Sequence, residues 1–206
     1  MSRQLPEYHQ RVAGQNRTAI LAAATALFLE SGYDRTSLAR VAESAGVSKA
    51  TLFKQFPTKA SLFEATVLAV GQAPGRAVTV PPPGDLHAGL LALGWEYAEL
   101  LTHPRTADLI RLLIAEAPRF PELRERTFNF GTLPTIDALS RYLRAEQDAG
   151  FVKVDAPEIA ATQFLGMIAS AIFWPRLVHA NWSIDEEESR RAVEEAVRTI
   201  VARYST

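Results

Sequence analysis

Cysteine does not occur in the 206-residue sequence. Disulfides, thiolate metal sites, cysteine nucleophiles and iron–sulfur clusters are thereby excluded, and the composition suits a reducing compartment. Long hydrophobic runs are equally missing. The longest nearly apolar stretch, Ala19–Leu29, falls well short of the roughly 18–20 residues a membrane span requires. The opening residues, Met1–Tyr8, lack the apolar centre of a secretory signal. A soluble protein of the cytoplasm with no membrane partner is expected.

Signatures of catalysis are wanting too. The four histidines, His9, His87, His103 and His179, show no metal-ligand spacing, and no His-Glu-x-x-His occurs. There is no Gly-x-Gly-x-x-Gly, no P-loop and no Gly-x-Ser-x-Gly. Gly84, Gly89 and Gly94 recur every five residues, a period that fits no phosphate loop. The acidic run Asp185–Glu188 reads as a helix start complementing the helix dipole. We therefore expect no enzyme, no catalytic residue, no metal and no cofactor.

What is present is a chain apolar enough to build a core, with 48% hydrophobic residues and 22% charged ones. Net charge is −1, but its distribution is uneven: residues 1–72 hold 8 Lys/Arg against 5 Asp/Glu, and the remainder 14 against 18. That asymmetry suits an N-terminal part that meets phosphates.

Periodicity predicts helices throughout. Ile20, Ala24, Leu27 and Phe28 set out an amphipathic helix over Asn16–Ser31, stopped by Gly32. Thr36 is expected to cap a short second helix to Ala45, Ser48 a third to about Gln55, and Thr58 a fourth to about Val70. Gln72–Gly84, with Pro74, Gly75 and Pro81-Pro82-Pro83-Gly84, reads as a linker. Beyond it, Asp85 caps a helix to about Thr102 and Pro104 opens another to about Ala117. A helical stretch over Pro121–Gly150 should break around Gly131–Pro134. Pro157–Ala180 should be bent or ended by Pro175, and Asp185–Tyr204 should be the last helix. No strand alternation of useful length appears, so the fold expected is all-α with about nine helices.

The segment Ser37–Phe56 has a mechanical logic. Two short helices crossing steeply need Gly46 for a left-handed turn, small Ala42 and Ala45 for close approach, and Val41, Val47, Leu52 and Phe56 for a shared core. Ser48 as a cap leaves free N–H groups and the positive dipole end outward. Lys49, Ala50, Thr51, Lys54 and Gln55 lie on the exposed side, where short or basic groups reach base edges and phosphates.

Gly32-Tyr33, Thr36-Ser37, Val41-Ala42, Ala45–Ser48, Thr51–Phe53, Phe56 and Thr58-Lys59 with Leu62 together resemble the TetR-family DNA-binding domain, without gaps from about Asn16 to Val70. The resemblance implies a three- to four-helix DNA-binding domain over 16–72. It would follow a flexible arm (1–15) and be joined by the linker 73–84 to a helical effector-binding and dimerisation domain over 85–206. It implies phosphate contacts from Thr36, Thr51 and Lys59 and base contacts from Lys49 and Ala50, with Phe53 and Gln55 near the bases. Ser37, Ser48 and Lys54 complete the expected DNA-contacting set. Two positions depart from the family pattern: Phe53 replaces the usual Tyr, and Ala39 stands where many members carry Arg.

In the second half, Arg111–Leu123, Gly150-Phe151, Asp155–Pro157, Ala160-Ala161 and Phe164–Gly166 are similar to the C-terminal domain of an AefR-like subgroup. That resemblance implies a ligand-responsive repressor binding a palindromic operator in double-stranded DNA as a homodimer. Candidates to line an effector pocket are Trp95, His103, Arg111, Phe120, Phe128, Tyr142, Met167 and Trp174, although aromatics at helical spacing serve equally as core. For the dimer interface the candidates are Ile168 and Ala171 with the stripe Val193, Val197, Ile200, Val201 and Tyr204, which an internal core would use as well. Two other functions fit the same features: a helical ligand-binding or enzymatic protein with a vestigial helix-turn-helix, and a DNA-organising protein without promoter control.

Overall fold

The computed structural model describes residues 4–69, 79–123 and 134–205. These residues form ten helices and no strand, in keeping with the all-α expectation. The helices are α1 Gln4–Arg35, α2 Leu38–Ser44, α3 Lys49–Gln55, α4 Lys59–Ala69 and α5 Leu86–Thr102. They continue with α6 Pro104–Glu116, α7 Pro134–Asp148, α8 Pro157–Ile172, α9 Trp174–Val178 and α10 Glu186–Tyr204. An isolated antiparallel bridge pairs Val152 with Ser205.

Several boundaries differ from those expected. Residues 4–15, expected as a flexible arm, are the first turns of α1. Apolar periodicity starts only at Ile20, but Pro6 sits in the first turn, where its missing N–H costs nothing, and Glu7, Gln10, Arg11 and Gln15 are good helix formers. The cap of α2 is Ser37, whose Oγ accepts from the Arg40 N–H at 3.2 Å, rather than Thr36. The break before α9 falls at Phe173, with Pro175 in the first turn of the new helix. Of the expected linker, residues 73–78 lie outside the described residues, and Thr79–Gly84 is neither helix nor strand. The break at Gly131–Pro134 also lies outside them, apart from Pro134, where α7 starts.

The chain divides into two compact units, Met1–Pro74 with Asp108–Phe128, and Gly75–Ala107 with Asn129–Thr206. By contacts, Asp108–Phe128 groups with the first unit and not with the rest of 85–206. Leu109, Leu113 and Leu123 are buried in one cluster with Ile20, Phe28, Leu52 and Phe63, so hydrophobic burial assigns their segment to the first unit.

In the first unit, Gly32 interrupts α1 with φ 80° and ψ 170°, a conformation glycine adopts without steric penalty. The chain turns there, and Tyr33 enters the core, its ring edge-on to Phe63 at 5.6 Å and to Phe120 at 5.0 Å. Lys59, at the start of α4, closes the end of α1. Its Nζ donates to the carbonyls of Tyr33 (2.9 Å) and Asp34 (3.1 Å) and lies 4.4 Å from the Tyr33 ring centroid. A cation on carbonyls at a helix end, stacked on an aromatic face, is stabilised three ways at once.

In the second unit, α5 presents glycines to its neighbours. A Cβ at Gly94 would meet Val193 Cγ1 at 2.9 Å and Phe164 at 3.0 Å, and one at Gly89 would meet the Tyr142 hydroxyl at 2.0 Å. Tyr142 fills that space. Its hydroxyl hydrogen-bonds the Asp85 carbonyl at 2.8 Å and the Glu146 carboxyl at 2.5 Å, and Glu146 accepts from the Gly84 N–H at 3.0 Å. Burial, followed by the hydrogen bond to Glu146 and the negative charges of Glu146 and Asp85, pushes the Tyr142 phenol well above its ordinary pKa.

Three outcomes follow for stability. Lys59→Ala should destabilise the first unit by about 2 kcal/mol, the scale of hydrogen bonds made by a charged group, as read by urea unfolding. Gly89→Ala should lower the stability of the second unit by about 1–3 kcal/mol through overpacking against the Tyr142 ring, visible as a drop in Tm. The folded chain keeps the Tyr142 proton at pH values where an unfolded tyrosine, with its ordinary pKa of 10.0, has lost it. Stability should therefore be retained below pH 10 and fall as pH rises past it. Tyr142→Phe should flatten that decline in a pH series of unfolding curves.

Candidate nucleic-acid interface

The turn between α2 and α3 is built from backbone bonds that require its sequence. Val47 N–H donates to the Ala42 carbonyl at 3.0 Å and Gly46 N–H to that of Glu43 at 3.1 Å, the paired closure of a Schellman motif. Gly46 has φ 65°, and a Cβ there would meet nothing within 4 Å. Backbone conformation, not space, is what demands glycine at this position.

Ser48 then starts α3. Its Oγ accepts the Thr51 N–H at 3.0 Å and lies 2.8 Å from the Thr51 hydroxyl. Leu52 and Phe56 are buried and anchor the helix. The opposite side presents Lys49, Ala50, Phe53 and Lys54, all exposed, with Thr51 and Gln55 half-buried at its margins. Phe53 keeps 47% of its surface accessible, leaving its ring open to an outside contact. No acidic residue occurs anywhere from Ser44 to Phe63. The surface is thus cationic at both ends of α3 and apolar between them, a composition suited to phosphates flanking a base edge or a thymine methyl.

Not every expected contact lies on this surface. Ser37 and Ser48 are exposed, each capping a helix through its hydroxyl. Thr36 is buried, and its hydroxyl hydrogen-bonds the carbonyls of Gly32 (2.8 Å) and Leu27 (3.1 Å), so its side chain braces the bend after α1 instead of facing outward. The Lys59 ammonium is held on α1 as described. Gln55 Nε2 donates to the Ala13 carbonyl at 3.3 Å, and the Arg17 guanidinium stacks over Phe56 at 4.7 Å. Both contacts join the end of α3 to α1, the first of them at Ala13, in turns that apolar periodicity did not reveal as structured.

The effector-pocket candidates are not brought together. Arg111 pairs with Asp108, and Phe120 packs on Tyr33, both inside the first unit. Trp95 and Met167 are partly buried against the core of the second unit, and Tyr142 is fully buried within it. His103 ends α5, its pKa lowered by burial and by the nearby charges of Arg105 and Arg176. Trp174 is exposed and Phe128 lies outside the described residues. A groove of about 370 Å³ does occur in the second unit, lined by Trp182, Ile184, Ala171 and residues of α10. Trp182, next to the cap of α10, was the available signal for it. Of its lining, the sequence singled out Ala171, as a dimer contact, and Glu188, as part of an acidic helix start.

The dimer-interface stripe divides in the same way. Ile168, Val193, Val197 and Ile200 are buried in the protomer's own core against α5 and α8 and offer no surface to a partner. Ala171, Val201 and Tyr204 remain half-exposed. A helical stripe identifies a buried face but cannot say whether the cover comes from the same chain.

Comparison with known proteins agrees with this geometry. Residues 20–66 match the profile of bacterial regulatory proteins of the tetR family, and residues 88–206 match that of the AefR-like transcriptional repressor, C-terminal domain. An uncharacterised HTH-type transcriptional regulator of Mycobacterium tuberculosis is 40% identical over 111 residues, covering 52% of this chain and 51% of its own length. The chain spans about half the length of the curated relatives it matches. Among solved structures, a TetR family transcriptional regulator from Pseudomonas syringae is 30% identical with a TM-score of 0.68, over 93% of this chain and 97% of that one. The flavonoid-responsive regulator FrrA is 29% identical with a TM-score of 0.69, over 93% and 98%. With both of its parts matched, and with a helix-turn-helix whose turn and caps are complete, the chain belongs to the TetR family of helix-turn-helix transcriptional regulators.

Proposed function

We propose that this protein is a transcriptional repressor that binds a palindromic operator as a homodimer and is released when a small apolar or amphipathic molecule binds its second unit. The observation that carries the DNA-binding part is the acid-free, exposed face of α3, with Lys49, Ala50, Phe53 and Lys54 projecting from a helix capped by Ser48. Lys49 and Ala50, at the start of α3, are the base-reading positions. Ser37, Thr51, Lys54 and Gln55 serve the backbone at its edges. Phe53, lacking a hydroxyl, contributes apolar contact alone. Lys59 acts on DNA chiefly by holding α1 and α4 together.

Two copies would present two recognition helices to half-sites roughly 34–36 Å apart, one turn of duplex. The half-exposed Ala171, Val201 and Tyr204 are the parts of the expected dimer face that a second copy could cover. Repression and ligand release rest on the AefR-like repressor profile over 88–206 and on likeness to FrrA, a regulator named for its response to flavonoids. Ligand binding in the second unit and operator binding by the first would then be coupled reciprocally. The described residues contain no helix long and apolar enough to cross a membrane, which suits action on DNA in the cytoplasm.

Lys49→Ala should weaken binding to the operator ten- to a hundredfold, corresponding to about 1–3 kcal/mol for a base contact, as read by fluorescence anisotropy on a duplex selected from a randomised pool. Binding equal to wild type at every salt concentration would overturn the reading. All three tryptophans (Trp95, Trp174 and Trp182) lie in the second unit. A true effector should therefore change tryptophan fluorescence and lower operator affinity at the same ligand concentration. A compound that does the first without the second is not the effector.

A further inference from the structure

The early turns of α1 carry a feature that the α3 reading leaves unused. The family profile begins at residue 20, yet α1 begins at Gln4. No Asp or Glu occurs from Tyr8 to Leu29, and none from Ser44 to Phe63. These two acid-free stretches meet. Gln55, the last residue of α3, donates to the Ala13 carbonyl at 3.3 Å, and Arg17 stacks over Phe56 at 4.7 Å. Gln10, Ala13 and Arg17 are spaced three and four residues apart and share one stripe of α1. The same stripe runs past the end of the recognition helix, and Gln10, Gly14, Arg17 and Thr18 on and beside it are all exposed.

We propose that the N-terminal extension of α1 is a second DNA-contacting element, with Gln10 and Arg17 binding the sugar–phosphate backbone beside the bases that α3 reads. The inference rests on the reading of α3 as the recognition helix. A guanidinium stacked on a ring face keeps its in-plane N–H donors directed away from that ring, in the geometry that phosphate oxygens accept. From Ala13 back to Gln4 the helix extends about 13 Å at 1.5 Å per residue, a span of roughly four base-pair steps. The extension thus has the length to follow the backbone out of the half-site. Glu7 is the one carboxylate over that length, and from Tyr8 to Leu29 none repels phosphate. The ligand is double-stranded DNA, bound without base preference, so the extension adds affinity and salt dependence but no sequence discrimination.

Gly14 gives a test that spares the fold, because a Cβ there meets nothing within 4 Å and the residue sits inside a helix. Gly14→Ala should bind the pool-selected duplex as wild type does or slightly better, since alanine favours the helix. Gly14→Glu should bind about tenfold more weakly than Gly14→Ala, with the loss shrinking as salt rises. Arg17→Gln should reduce the slope of log affinity against log salt by about one for each protomer bound, with the preferred sequence unchanged. Circular dichroism and Tm of Gly14→Glu should match those of Gly14→Ala, so the effect cannot be assigned to unfolding. If Arg17→Gln lowers Tm by removing the stack on Phe56, Gly14→Glu alone decides the matter. Gly14→Glu binding as tightly as Gly14→Ala, while Lys49→Ala has lost binding, overturns this inference and leaves the α3 reading standing. Lys49→Ala binding like wild type overturns the α3 reading, and the inference falls with it.

Discussion

The ammonium of Lys59 sets the geometry of the first unit. Gly32 leaves helical space just before α1 ends, and the terminal carbonyls of a helix lack intrahelical donors. Lys59 supplies them from the start of α4, donating to Tyr33 and Asp34 while its charge sits against the Tyr33 ring. Thr36 closes the same bend from within through the carbonyls of Gly32 and Leu27. Once α1 and α4 are tied at this node, the short helices between them have little freedom. α2 and α3 have seven residues each, too short to persist alone in water. They persist because Val41, Leu52 and Phe56 are buried against α1 and α4 in the shared core.

The node reaches beyond the helix-turn-helix. Phe120 packs edge-on against Tyr33, and Arg119 pairs with Asp34 at 3.4 Å, both from the segment that follows α6. That exposed ion pair contributes little by itself, but the aromatic contact and the burial of Leu109, Leu113 and Leu123 make this later segment part of the first core. The first unit is therefore assembled from two separated stretches of chain. In the second unit the corresponding constraint is steric. Gly89 and Gly94 let α5 approach Tyr142, Val193 and Phe164 more closely than any side chain would allow. The five-residue glycine spacing, which fits no phosphate loop, is there for packing.

The helix-turn-helix was legible because each of its requirements is local. Gly46 must adopt a positive φ, Ser48 must cap, and small residues must sit where the helices cross. Sequence patterns record such demands directly. The exposed face of α3 follows from the same arithmetic, since Leu52 and Phe56 can point only one way. Thr36 and Lys59 were harder. A threonine before a helix and a lysine at a helix start look polar and external, yet both are engaged by carbonyls brought close by the bend after α1. The stripe of Val193, Val197 and Ile200 was seen as buried, but its cover proved to be α5 and α8 of the same chain.

By itself the sequence determined the helical class, the position and polarity of α3, and the family to which the chain belongs. These depend on periodicity, capping and turn stereochemistry within a few residues of each other. Tertiary structure alone decided which residues share a core. It brought Leu109, Leu113 and Phe120 into the first unit, buried Tyr142 against Gly89, and set the early turns of α1 against the end of α3. Each is a contact between residues far apart in the chain, and local pattern carries no information about the partner. Burial of apolar surface rewards closeness in space whatever the separation along the chain.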